Sequence, residues 1–332
     1  MERDKSLDFV KFVYIAMMVI YHCLISANYD HSFQIDINRY LAYVSGSFPF
    51  MTGYFISAHY FESLKNRQGS MCTRLLFRGM KLILIYIILN IIFIYAVNDF
   101  IDINVITKSD NPIISILTGN PTKVIYDVLY SIGVILIFGA FLSAIQFRIS
   151  SQTNKYTLAI LVCLISTIIY LDESILIASG VMGIITGLSP IRDYLDRIYH
   201  KKMIVIASYL FGLIAVILLS SVKKELIIYI AGVTTLFFSL KHSYKYIKTY
   251  VDKSELIDLL SKYSLFIYLF HVVILVITTK SLLKISPSID PVLLFIILIA
   301  LITYSSILIT KRIEIEHANK TRISKIYRSI FN

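Results

Sequence analysis

Apolar runs of about 17 to 22 residues recur along almost the whole chain, separated by short polar stretches, and each is long enough to cross a hydrocarbon core of roughly 30 Å as a helix. In lipid every backbone N–H and C=O must be paired within the chain, so these runs fold as helices. With 57% hydrophobic and 16% charged residues and a mean hydropathy of +0.74, the chain lies outside the range of a soluble globular domain. No polar stretch longer than about 30 residues is left over, too little for a soluble domain. The expected fold is an all-α, polytopic integral membrane protein forming a single domain over residues 1–332. About ten transmembrane helices are expected, near 8–27, 40–61, 82–98, 124–147, 156–171, 174–190, 203–220, 226–240, 263–279 and 291–310. The first run lacks a small-residue cleavage site and Lys11 interrupts what would be a signal-peptide core, so it reads as a retained helix.

The net charge of +11 raises the question of nucleic acid, and its distribution answers it. With the N-terminus in the cytoplasm, alternating the loops puts roughly 25 basic and 11 acidic side chains inside and about 7 and 10 outside. The basic excess is therefore a topology signal, and no nucleic-acid partner is expected. Both termini fall inside, and the basic tail over 311–332 reads as an interfacial segment drawn to anionic membrane lipids. The segment Arg192 to Lys202 is also basic and amphipathic enough to lie on the membrane surface. The three cysteines, Cys23, Cys72 and Cys163, are odd in number and fall in helices or an inner loop, so no disulfide framework is expected.

Four stretches stand out from the apolar background. In the first, Leu7 to His22, Lys11 and His22 are eleven positions apart and so return to within about 20° of each other, roughly 16 Å along a helix axis. Asp4, Asp8, Ile15, Met18 and Ser26 lie on or near the same stripe. A polar line on a membrane helix faces a bundle interior or a wet cavity and marks a reaction or transport path. A snorkelling lysine beside a hydrogen-bonded core histidine is the plainer reading and stays open on this stretch alone. In the second, Phe48 to Phe55, Pro49 and Gly53 sit in mid-helix. They either free carbonyls for a ligand or ease helix packing.

The third stretch sets Arg74, Arg78 and Lys81 at spacings of four and three, a cationic face suited to phosphate, although positive-inside topology also accounts for it. In the fourth, Ser264, Tyr268 and His271 share a face and put a second histidine near mid-membrane, where a Tyr–His pair can also be structural glue. His31, His59, His200, His242 and His317 fall near helix ends or in loops and are assigned no chemistry. No metal-ligand spacing, Walker loop or Gly-x-Ser-x-Gly elbow is present, so no metal is expected.

Together the four stretches resemble the membrane-bound acyltransferase 3 family, multi-pass enzymes that O-acylate cell-surface glycans. The likeness runs from a Leu-Asp-x-x-basic opening to Ser264-x-x-x-Tyr268-x-x-His271. The family's first helix carries a basic residue, ten intervening residues and a histidine; here these are Lys11, where the family usually has Arg, and His22. Its Phe-Phe-x-x-Ser-Gly-Tyr pattern maps onto Phe48 to Tyr54 with Pro49 and Thr52 as departures, and its Arg-Arg-x-x-Arg pattern maps onto Arg74 and Arg78 with Leu75 for the second Arg.

The resemblance implies a cytoplasmic acyl-CoA donor, acetyl-CoA by default, and a glycan or polyprenyl-linked saccharide acceptor at a bacterial inner membrane. On that reading Arg74, Arg78 and Lys81 hold the CoA phosphates and Lys11 steers the arm. His22 acts as general base, and Tyr268 or His271 donates to the oxyanion or orients the acceptor. A transporter or glycan exporter is the rival from another class, since a polar stripe also suits alternating access. It predicts a repeat symmetry that the sequence does not display. A sensor or scaffold keeping the fold without activity is the third reading. Oligomeric state is not legible from the sequence.

Overall fold

The computed structural model describes residues 4–27, 37–61, 68–96, 127–147, 160, 162, 175–209, 225–286 and 288–319. Among these residues all regular structure is helical. The helices are α1 (Lys5–Ala27), α2 (Ile37–Phe55, continued by a π-helical turn at Ile56–Tyr60), α3 (Gln68–Ala96), α4 (Asp127–Phe147) and α5 (Ile175–Gly187). They continue with α6 (Ser189–Tyr199), α7 (Glu225–Asp252), α8 (Glu255–Lys262), α9 (Ser264–Ile285) and α10 (Pro291–Ala318). Among the described residues five stretches are long and apolar enough to cross a membrane: Lys5–Ala27, Cys72–Ile92, Val128–Ile145, Ser264–Ile285 and Pro291–Ala318. The α5–α6 pair passes the same test but is bent by 86°. Most of the helices expected at 156–171 and 203–220, the loops over 28–36 and 99–123 and the tail beyond 319 lie outside the described residues.

Helix ends differ from the sequence expectation where local chemistry outweighs hydropathy. Helix α3 starts at Gln68 and not near 82: the basic stretch before it is polar by hydropathy but holds no proline to stop a helix. Helix α7 runs on past 240 to Asp252 for want of any Pro or Gly to stop it. The run expected at 174–190 ends at Gly187: Leu188 is extended, and Pro190 has no N–H with which to continue the ladder. Helix α10 opens with Asp290 accepting from the amides of Val292 (2.9 Å) and Leu293 (3.0 Å), with Pro291 in the first turn. It continues past 310 to Ala318, so the first part of the expected tail is helical.

The chain divides into two compact units. The first comprises Met1–Val44, Val216–Ser220 and Ser239–Asn332. In it α1 packs on α8, α9 and α10, and α9 on α10. Lys5 on α1 pairs with Asp258 of α8, Nζ to Oδ2 2.6 Å, and Lys262 of α8 with Glu314 of α10 at 2.8 Å.

The second unit comprises Ser45–Ala215 and Ser221–Phe238. Its helices meet backbone to backbone at glycines. A Cβ on Gly79 of α3 would stand 2.7 Å from the Gly133 carbonyl oxygen of α4, and one on Gly133 3.0 Å from that of Gly79. A Cβ on Gly53 of α2 would run into the Gly180 carbonyl of α5, and one on Gly183 into that of Phe50. Such small-residue contacts let dispersion hold helices together where lipid removes most of the hydrophobic drive. Ile56, Leu75, Ile135, Leu142, Val181 and Ile184 fill the core between them.

Candidate functional site

The buried positions of α1 are Leu7, Asp8, Val10, Tyr14, Ile15, Met18, Val19, Cys23 and Ala27. At about 100° per residue they sweep an arc of roughly 260°, and Lys11 and His22 lie near its middle. Ile20, 40% exposed, stands on the other side, roughly 160° from His22. The polar stripe is therefore turned into the first unit. His22 and Lys11 are only half-buried there, in contrast to the apolar groups around them.

Facing His22 from α9 is His271, with ring centres 5.0 Å apart and planes at 51°. His271 is 0% exposed. Its Nδ1 lies 3.1 Å from the Ile267 carbonyl oxygen, one turn back on the same helix. A carbonyl oxygen only accepts, so Nδ1 carries the proton and Nε2 bears the lone pair in the neutral ring. That Nε2 is buried and has no hydrogen-bond partner among the described residues. Tyr21 flanks His22 at 5.1 Å between ring centres, and the buried Tyr268 flanks His271 at 5.9 Å. Ser264 is half-buried two turns before His271 on the same helix.

Lys11 is not a bare charge. Its Nζ sits 3.6 Å from Oδ1 of Asp8, a carboxylate almost wholly buried on the preceding turn. Sequence reasoning placed Asp8 on the stripe and gave it no role; the i,i+3 spacing of Asp8 and Lys11 was the signal for the pair.

Arg74, Arg78 and Lys81 lie on α3 in the second unit, within about 60° of one another around the axis. Arg74 and Arg78 are exposed and Lys81 half-buried, on the side away from the buried Leu75, Gly79 and Leu82. The three do form one cationic face, and the two histidines belong to the other unit.

In the same second unit the Phe48–Phe55 stretch is largely packing. Phe50 and Tyr54 stack on Phe237 at 5.2 and 4.7 Å, and Thr52 Oγ1 donates to the Phe48 carbonyl at 2.9 Å. The π turn that follows is stitched by side chains. Ser57 Oγ donates towards the carbonyls of Gly53 (3.3 Å) and Tyr54 (3.2 Å), and Arg192 of α6 donates to that of Ala58 at 3.3 Å. Among the described residues no three His, Cys, Asp or Glu side chains come together as a metal site requires.

A family model described as an acyltransferase domain, acyltransferase 3, matches residues 4–311. The chain belongs to the acyltransferase 3 family. The match takes in both histidines, Lys11, Asp8, Tyr268 and the cationic face of α3. Family membership makes this chain a membrane acyltransferase in kind, consistent with the five apolar helices of spanning length among the described residues. No curated protein and no solved structure matches this acyltransferase 3 family member.

Proposed function

We propose that this acyltransferase moves an acyl group, acetyl by default, from cytoplasmic acyl-CoA to a hydroxyl of a cell-surface or lipid-linked glycan. The observation that carries the reading is the inward-facing His22, half-buried beside His271 in a setting where an imidazole has no packing advantage over Leu or Phe. A sugar hydroxyl is too weak a nucleophile at neutral pH to attack a thioester unaided. Neutral His22 takes the hydroxyl proton as the oxygen bonds to the carbonyl carbon. The tetrahedral intermediate then collapses, the C–S bond breaks, and the CoA sulfur leaves with the proton returned by His22. The products are an ester and free CoA thiol.

The donor's phosphates are matched by the solvent-facing Arg74 and Arg78 with Lys81 beside them, since guanidinium forks suit phosphate oxygens. Lys11, held by Asp8, steers the pantetheine arm. An extended arm is comparable to the roughly 20 Å by which His22 lies deeper than the start of the membrane span expected near 8–27. On this reading Tyr268 donates to the oxyanion or orients the acceptor, since the one N–H of neutral His271 is committed to the Ile267 carbonyl.

On this reading residues 1–332 belong to a single membrane acyltransferase domain. The full chain crosses a bacterial inner membrane about ten times with both termini inside, as the basic side chains favour. The partners are acyl-CoA, the saccharide acceptor and membrane lipids.

Thiol release from acetyl-CoA in proteoliposomes holding an undecaprenyl-linked saccharide tests the chemistry. The wild type releases thiol in step with acceptor, and His22→Ala cuts the rate by roughly 10²- to 10⁴-fold while still inserting and folding. Acylation at the normal rate by His22→Ala overturns the assignment. Mass analysis of surface glycan from cells with and without the gene then names the acyl group and sugar.

A further inference from the structure

A base that works through one imidazole nitrogen needs its other nitrogen held, because a ring free to exchange tautomers presents its lone pair to the substrate only part of the time. Serine hydrolases use a buried carboxylate for this. No carboxylate hydrogen-bonds His22 among the described residues. The nearest polar ring is His271, and its protonation pattern is fixed from behind: Nδ1–H to the Ile267 carbonyl at 3.1 Å, Nε2 a buried lone pair with nothing to accept. A buried acceptor left unpaired is costly, and one beside a half-buried imidazole invites that imidazole's N–H.

Ring centres 5.0 Å apart leave room for a hydrogen bond of about 3 Å between a nitrogen of each ring when the two are turned toward each other. We propose that His271 is the positioning residue of His22: its Nε2 accepts the His22 N–H, fixes the His22 tautomer, and leaves the other His22 nitrogen as the base. When His22 takes the hydroxyl proton, the same hydrogen bond stabilises the imidazolium, which then gives that proton to the departing CoA sulfur. His271 itself begins and ends the cycle neutral. It touches neither substrate, which fits its complete burial. The imidazole thus takes the place of the carboxylate at a depth where a carboxylate charge would be costly to bury.

The inference rests on His22 being the base, and the experiment separates the two. Acetyl transfer by the full chain in proteoliposomes is measured for His22→Ala, His271→Phe and His271→Gln, with kcat and the KM for acetyl-CoA and acceptor taken separately. His271→Phe, which fills the space without an acceptor, should lower kcat at least tenfold with both KM values within twofold. His271→Gln, whose amide oxygen can accept, should recover a good part of the loss. Wild-type kcat in His271→Phe, with His22→Ala inactive, overturns this inference alone; activity in His22→Ala overturns the parent reading.

Should His271→Phe not fold, the wild type decides. In nitrogen-15 spectra of histidine-labelled protein in nanodiscs, His271 is expected in the Nδ1–H form, with His22 in a single tautomer whose proton is shared towards His271. An Nε2–H form of His271, or tautomer averaging at His22, refutes the proposal.

Discussion

The two units handle ionisable groups differently. In the second, Arg74 and Arg78 point out of the helix pack, and the interior is closed by glycines that bring backbones into contact. In the first, an aspartate and two imidazoles are drawn inside, with Asp8 and His271 almost wholly buried. A glycine contact stabilises wherever it occurs, because shape is all it needs. An imidazole inside a membrane protein is costly to bury and contributes little packing in return, so its presence points to chemistry. The second unit is thus built first for packing, with a cationic face on its surface, and the first holds the buried ionisable groups to which the proposed chemistry is assigned.

The contrast can be broken most directly at its extremes. His22→Ala should remove about 4 kcal/mol of transition-state stabilisation, near a thousandfold in rate, with an unchanged melting temperature. In the second unit the loss should fall on folding. Gly183→Ala, whose new methyl meets the Phe50 backbone carbonyl, should cost about 3 kcal/mol in detergent unfolding. Gly139→Ala meets only the Ile56 side chain, at 2.8 Å, and should cost about 1 kcal/mol because that chain can turn aside. Equal costs for the two would show that the backbone approach is not what makes the second unit rigid.

Smaller effects sharpen the same division. Lys11→Met leaves the buried Asp8 carboxylate without its nearby cation and should destabilise by about 2 kcal/mol, most of it regained in the Asp8→Asn/Lys11→Met double variant. If the double variant is no better than the single one, the pair is not what holds Lys11. The paired change Arg74→Gln and Arg78→Gln should raise the KM for acyl-CoA about tenfold, equivalent to about 1.4 kcal/mol, and leave kcat and stability alone. A shift in acceptor KM alone would remove those arginines from the donor site.

Much of this was legible from residue order. Hydropathy gave the helical class and located α1, α4, α9 and α10, since lipid leaves an apolar run no other regular structure. Spacing alone put Lys11 with His22 and Arg74 with Arg78 and Lys81, because a helix of fixed pitch converts sequence separation into angle. Helix ends were less legible at α3 and α7, where the basic sequence is polar by hydropathy yet carries no proline and stays helical.

What needed the tertiary structure was every relation between helices. The sequence determined that one face of α1 carries a lysine and a histidine; only packing decided that this face turns inward and that His271, 249 positions on, meets His22 at 5.0 Å. Likewise the glycines of α2 and α5 announce nothing by themselves until each is found against the other's carbonyl. The reason is physical: helix periodicity is a local property of the backbone, whereas which faces meet depends on shape complementarity summed over the whole bundle.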